Sequence, residues 1–199
     1  DGSAGVDDFS AKFFLDNDQN IYLTGSITNS VNDLNDLIVL KFDSDGNELW
    51  QYTYDNPNVN GGEDFGVDIT SNGQVVVVTG ASKGANTEYD YLTIGLNAST
   101  GAFVWRNSYD YSNLNDIASV VKLGSSSVYV SGGSQSSSSP IKYDVASVEY
   151  SINTGTQLNL KRSSGGAVAG VNEINDISID NNDNIYLTGR VVNTSTGFD

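Results

Sequence analysis

Apolar residues in this chain fall into runs of strand length, and the runs recur in phase. Gln74-Val75-Val76-Val77-Val78-Thr79-Gly80-Ala81-Ser82 is a continuous apolar stretch closed by Thr-Gly. Related stretches are Ile21-Tyr22-Leu23-Thr24-Gly25-Ser26, Val128-Tyr129-Val130-Ser131-Gly132-Gly133 and Ile185-Tyr186-Leu187-Thr188-Gly189-Arg190. Continuous hydrophobicity at this length predicts a strand covered on both faces. A second kind of stretch alternates: Ile38, Leu40, Phe42, then Leu92, Ile94, Leu96, then Ala146, Val148, Tyr150. Between them stand Val39 and Lys41, Thr93 and Gly95, Ser147 and Glu149, which predicts one buried and one more polar face.

Two further elements complete a unit. Before each Thr-Gly run comes a stretch opening on an acid, at Asp8, Asp64, Asp116 and Asp176, with a small residue two places on (Ser10, Gly66, Ala118, Ser178). Small residues at one strand position predict that another backbone passes close by, as it would at the innermost strand of a radial sheet. The alternating stretches open at Asp36, Asp90 and Asp144, spaced 54 residues apart. After them a tight turn leads to Trp50 or Trp105; the third copy, Thr154-Gly155-Thr156-Gln157-Leu158-Asn159, keeps the turn and lacks the Trp. Trp50, Tyr52 and Tyr54 alternate with Gln51 and Thr53, as expected of an outer strand whose Trp packs between sheets.

Asn, Asp, Gly and Ser cluster between the elements, at Asp16-Asn17-Asp18-Gln19-Asn20, Ser71-Asn72-Gly73, Gly124-Ser125-Ser126 and Asn181-Asn182-Asp183-Asn184, and so predict hairpin turns. Four strands in each unit of about 54 residues predict an all-β fold, a β-propeller with four-stranded antiparallel blades. The expected blades are 8–54, 64–109, 116–162 and a partial fourth at 176–199. About three and a half blades fall short of the usual four to eight, which suggests a fragment of a longer protein.

Composition narrows the function. Lys and Arg number 9 against 25 Asp and Glu, a formal net charge of −16. Nucleic-acid binding rests on Lys and Arg displacing counterions, and anionic membrane surfaces attract basic segments, so neither partner suits this chain. Cys, His and Met are absent, which removes disulfides, thiolate chemistry, the usual zinc ligands and the commonest general base. No run has the length and apolarity of a membrane-spanning helix or the form of a signal peptide.

The string Asp36-Leu-Ile-Val-Leu-Lys-Phe-Asp-Ser-Asp-Gly-Asn-Glu-Leu-Trp50, followed by Gly61-Gly-Glu-Asp-Phe-Gly-Val-Asp68 and Val77-Val-Thr-Gly-Ala-Ser82, resembles the bacterial SBBP-type β-propeller repeat. The resemblance covers nearly the whole chain and departs from the pattern at Asn159 and at the 167–172 insertion. It implies a secreted or cell-surface bacterial protein, with type IX secretion a natural setting. A weaker resemblance, through the Gly-x-x-x-Trp hairpins, runs to quinoprotein-type propellers.

Candidate chemistry is sparse. The repeated acids read as loop-end carboxylates that accept backbone N–H bonds, since a catalytic pair is normally unique to one place in a domain. Asp43-Ser44-Asp45-Gly46-Asn47 resembles the opening of a calcium loop, with Asp43, Asp45 and Asn47 as ligands. An Asp-Gly turn at the same place and Tyr54 at the twelfth position favour a plain turn. Ser134–Ser139 reads as a flexible low-complexity loop and Lys161-Arg162 as a solvated strand end.

Connections between the second and third strands of each unit are long (26–35, 81–89, 133–143, 190–198) and share one face with the links between units. A protein or carbohydrate at that face is the expected partner. The leading expectation is a non-enzymatic interaction or scaffold module, with no cofactor beyond the candidate calcium. Two alternatives stay open: a secretion cargo or complex subunit ordered by a partner, and part of a propeller enzyme whose active site lies in blades beyond these.

Overall fold

A computed structural model describes residues 9–29, 34–59, 62–164, 173–190, 192–193 and 197–198, and every one of its regular elements is a strand. The first sheet contains β1 (Phe9–Leu15), β2 (Ile21–Asn29), β3 (Leu34–Phe42) and β4 (Glu48–Tyr54), antiparallel and in chain order. The second contains β5 (Asp64–Ser71), β6 (Val75–Lys83), β7 (Tyr89–Asn97) and β8 (Phe103–Tyr109). The third contains β9 (Asp116–Leu123), β10 (Ser127–Ser138), β11 (Ile141–Ser151) and β12 (Gln157–Ser163). β13 (Glu173–Ile179) pairs with β14 (Ile185–Arg190), and the two-residue strands β15 (Val192–Asn193) and β16 (Gly197–Phe198) pair with each other. The first strands of successive units neighbour one another, as in an arc of β-propeller blades.

Each core lies between two sheets. Tyr22, Leu37, Val39 and Trp50 of the first sheet pack against Val76, Val78, Leu92, Ile94 and Leu96 of the second. Val77, Tyr91 and Trp105 of the second pack against Val128, Val130, Val148 and Tyr150 of the third. Val76 and Val78 therefore face one neighbour and Val77 the other, which is why β6 has no polar face. The polar face expected on β7 is absent as well: every residue from Tyr91 to Leu96 is buried. Its non-apolar positions are small instead. The Thr93 hydroxyl lies 3.1 Å from that of Thr79, and Gly95 lies beneath the Trp105 ring.

The Thr-Gly pair has two separate jobs. Thr24 and Thr79 are wholly buried and donate their hydroxyl protons to the carbonyls of Ile38 and Leu92, so neither hydroxyl is left unmet in the core. The glycine makes room for a bulge. Each first strand carries an extra residue, between Ser10 and Lys12, Gly66 and Asp68, Ala118 and Val120, and Ile174 and Asp176. A Cβ on Gly80, Gly132 or Gly189 would sit 1.9–2.2 Å from the carbonyl oxygen of Phe65, Ile117 or Glu173 respectively. The small residue expected in the first strand also has its reason at Gly66, where a Cβ would strike Oγ1 of Thr24 in the preceding sheet.

Two expectations are corrected. In the fourth unit Ile174, not Ser178, lies opposite the Thr-Gly glycine, so Asp176 matches Asp68 rather than Asp64 and Asp116. The serine-rich run is strand rather than loop: β10 continues to Ser138 and pairs with β11 through Gln135↔Tyr143, Ser137↔Lys142 and Ser138↔Ile141. Serine is short enough to extend a ladder whose other side supplies Ile141 and Tyr143, and the turn is confined to Ser139 and Pro140.

Tryptophan locks one sheet to the next. The Trp50 indole donates to the Ala98 carbonyl at 3.2 Å and lies on Gly101, where a Cβ would come within 2.7 Å of its ring. Trp105 repeats this on Ile152 and Gly155. Gly46 has a positive φ (+85°) like Gly101 (+71°), but open space around it. Gly46→Ala should therefore cost only the left-handed backbone penalty, roughly 1–2 kcal/mol. Gly101→Ala adds overpacking against Trp50, about 1–3 kcal/mol more, and chemical denaturation of the two variants measures the difference.

Candidate functional site

The loop end of the arc gathers the repeated acids. The pairs Leu37↔Tyr54, Tyr91↔Tyr109 and Val145↔Ser163 align the sheets, so Asp55, Asp110 and Ser164 are equivalent positions just past the fourth strands. Asp36, at a third strand, meets Asp55 and then Asp64 of the following sheet, each offering a carboxylate oxygen within 4.8 Å of the others. Asp90, Asp110 and Asp116 form the same cluster one sheet further on. Two sets that the sequence presents as separate are thereby interleaved at the blade junctions. Asp8 lies outside the described residues, and Asp176 faces the axis with the equivalents of Asp68.

Asp64 and Asp116 are 0% exposed and are held in the same way. Oδ2 of Asp64 accepts the Asn56 N–H at 2.8 Å, and Oδ2 of Asp116 accepts the Tyr111 N–H at 2.6 Å. Each carboxylate thus ties down the start of the link that leads into its own blade. Their Oδ1 atoms have no hydrogen-bond partner among the described residues. Burial pushes Asp64 up to about 6, opposed by the Ser82 hydroxyl and the Asn56 N–H and reinforced by the charges of Asp55 and Asp36. Burial raises Asp90 and Asp116 to about 6 as well, against the Thr87 hydroxyl at Asp90 and the Ser134 hydroxyl and Tyr111 N–H at Asp116, with the charge of Asp110 adding to each.

The third junction is built differently. Asp144 pairs with Arg162 at 3.2 Å and Lys142 at 3.5 Å. Arg162 also donates to the Tyr109 and Ser134 hydroxyls and lies over the Tyr111 ring at 3.6 Å. Read from sequence as a solvated strand end, Arg162 is in fact a half-buried junction cation. The signal for it was Ser164 standing where the other units have Asp.

Beside the first two junctions lies a polar cleft of about 460 Å³. Tyr54, Asn56, Ser82, Asn86, Thr87, Asp90, Arg106 and Asn113 line it. The Arg106 guanidinium lies 4.9 Å from the centre of the Tyr54 ring, which orients it. Near the axis, Lys12, Asp68, Lys122 and Asp176 line a smaller cavity of about 150 Å³. Asp68 bridges two first strands there, since its Oδ2 accepts the Val121 N–H at 2.8 Å. Burial raises its pKa, opposed by that bond and by Lys12 and Lys122.

The candidate calcium turn is engaged with its own chain. Oδ1 of Asp43 accepts the N–H groups of Asp45 and Asn47, and Oδ2 accepts the Asn47 side-chain amide at 2.9 Å. Asp16 and Asp180 hold their turns identically, and Gln19, Gly46 and Asp183 take positive φ at the fourth place of the three turns. The side-chain amide of Asn184, with two backbone N–H groups, depresses Asp180 to about 2.

No protein-family model matches this chain, and no curated protein does, so the SBBP resemblance has no family match behind it. Among solved structures, a quinohemoprotein alcohol dehydrogenase from Pseudomonas putida HK5 matches with a TM-score of 0.48 at 10% identity. The match covers 87% of this chain and 30% of that one. So distant a likeness assigns no activity. It does correct the expectation of a non-enzymatic chain: the matched protein is an enzyme, so this strand pattern cannot serve to exclude catalysis.

The raised carboxylates set a pH dependence. With folded values about 6 against 3.8 unfolded, the folded chain binds more protons in between, so these groups add stability as pH falls from 7 towards 4. With divalent cations chelated, the midpoint of thermal unfolding should rise over that interval. Asp116→Asn should flatten part of the rise, by on the order of 2 kcal/mol, whereas the exposed-turn variant Asp45→Asn should follow the parent curve.

Proposed function

We propose that this chain is an interaction and scaffold segment of a β-propeller protein, whose loop end receives a carbohydrate in the cleft beside Asp90 and Arg106. The cleft carries this reading. Its volume, about 460 Å³, falls within the range of small-ligand sites, and polar groups make up the larger part of its walls. Arg106 and Asn86 supply donors, while Asp90, Thr87 and Ser82 supply acceptors, an assortment that suits a neutral polyhydroxyl ligand better than an apolar or anionic one.

The cleft rests on rigid neighbours. Tyr54, Leu92 and Arg106 come from strands of two packed sheets, so the ligand would meet preorganised groups along with the more adaptable loop 84–88. Secretion to a bacterial cell surface, which the repeat resemblance implies, fits the reading, as does the acidic composition of the chain. Propeller blades at 8–54, 64–109 and 116–162, with a further one begun after them, are the units we assign to the scaffold.

A glycan array screened with the chain, followed by calorimetry on any binder, tests the proposal. We expect a neutral oligosaccharide to bind, and Arg106→Ala and Asn86→Ala each to weaken it by about tenfold, the worth of one buried hydrogen bond to a charged or amide donor. Binding that survives both substitutions, or an array without any binder, overturns it.

A further inference from the structure

We propose that the two complete carboxylate clusters, Asp36/Asp55/Asp64 and Asp90/Asp110/Asp116, each bind a calcium ion that joins one blade to the next. The proposal concerns sites separate from the candidate turn at Asp43 and does not depend on the carbohydrate reading.

Three features of the clusters support it. The first is geometry. Calcium holds oxygen ligands at about 2.4 Å, so two ligands on opposite sides of one ion stand about 4.8 Å apart. The oxygens within each cluster all lie within 4.8 Å of one another, a spacing that one ion can bridge with small movements of the side chains. The second is an unmet acceptor. Asp64 and Asp116 are fully buried, one oxygen of each is fixed by a backbone N–H, and the other has no hydrogen-bond partner among the described residues. A buried carboxylate oxygen left without a partner is costly, and the remedies available to a protein are a donor, a proton or a cation.

The third feature is the contrast with the next junction. There Ser164 takes the place of Asp55 and Asp110, and the remaining acid, Asp144, is met by Lys142 and Arg162. Only one of the three carboxylates stands there, and the chain itself supplies the cations that meet it. At the first junction, neither Asp55 nor Asp64 forms an ion pair among the described residues. The charges acting most strongly on Asp64 are those of Asp55 and Asp36. Arg162 acts on Asp116 and Lys83 on Asp90, so the second cluster sits in a weaker negative field and should bind less tightly.

The chemical class follows from the ligands. All are carboxylates, and the chain contains no Cys or His, so a hard cation is favoured over zinc or copper. Asp55 and Asp110 are exposed, which leaves one side of each cluster open for water to complete a flexible shell of six to eight oxygens. Magnesium, which demands a small and regular octahedron, suits three carboxylates drawn from separate strands and links less well.

Calorimetric titration of the chelator-stripped chain with calcium chloride in about 150 mM salt, enough to screen diffuse binding to an acidic surface, tests this. We expect two ions per chain, one tighter than the other, and a rise in the unfolding temperature on saturation. Asp55→Asn should remove the tighter site and Asp110→Asn the weaker one. Both positions are exposed, so the variants should keep the parent far-ultraviolet circular dichroism. The double variant should lose both the binding and the thermal shift, while Asp43→Asn should retain both. The proposal fails if the parent chain takes up no calcium, if the double variant binds as the parent does, if binding follows Asp43, or if magnesium binds as tightly as calcium.

Discussion

An indole resting on a glycine of the neighbouring sheet is the contact on which this architecture depends. Trp50 and Trp105 leave the outer strands β4 and β8, cross to the next sheet, and place their N–H groups on carbonyls of its third-to-fourth turn. The glycine under each ring lets the turn approach within van der Waals distance. Large aromatic area and a satisfied polar tip are thereby combined at one point, and the same point recurs one sheet later. Asn159 takes the indole's place on β12, and among the described residues no third-to-fourth turn of a following sheet stands beside it to receive a ring.

Most of the fold was legible because it is written several times. Runs ending in Thr-Gly, acids at fixed places and a glycine turn before the fourth strand (Gly46, Gly101, Gly155) each recur, and agreement among copies marks the strands better than any single stretch could. The failures came where one copy was read by its local composition. Ser134–Ser139 looks like a loop because serine favours loops, yet its partner strand offers Ile141 and Tyr143 and the ladder extends. Asp176 was put in phase by its letter, whereas the bulge opposite Gly189 shows that the fourth unit has slipped by four positions relative to that acid. The signal lay in the spacing: Asp8, Asp64 and Asp116 precede Gly25, Gly80 and Gly132 by 17, 16 and 16 residues, whereas Asp176 precedes Gly189 by 13.

The site was legible only in its parts. That the acids recur was plain, and so was their use in holding loop ends, as Asp64 does for Asn56 and Asp116 for Tyr111. That two of the recurring sets meet was not, because Asp36 and Asp64 lie in different units and become neighbours only when one sheet stacks on the next. Asp55 and Asp110 were absent from either set, since nothing local distinguishes an acid just past a strand from other surface acids. Arg162 was missed for the same reason: its role depends on Tyr109, Tyr111 and Ser134, none of which is near it in sequence.

The glycine of the Thr-Gly pair also sets the curvature of the arc. Because Gly80, Gly132 and Gly189 lack a Cβ, the carbonyls of Phe65, Ile117 and Glu173 can fold over them, and each first strand bends inside its own sheet. Asp68 stands just past that bulge and accepts from the backbone of β9, so the link between two neighbouring sheets lies beside a single absent methyl group. An alanine at such a place would leave every hydrophobic contact nameable and still open the arc, as a wedge driven at the hub opens a fan. The close approach of the paired inner strands is therefore written in the smallest residues of the chain, more than in the large ones that fill the space between its sheets.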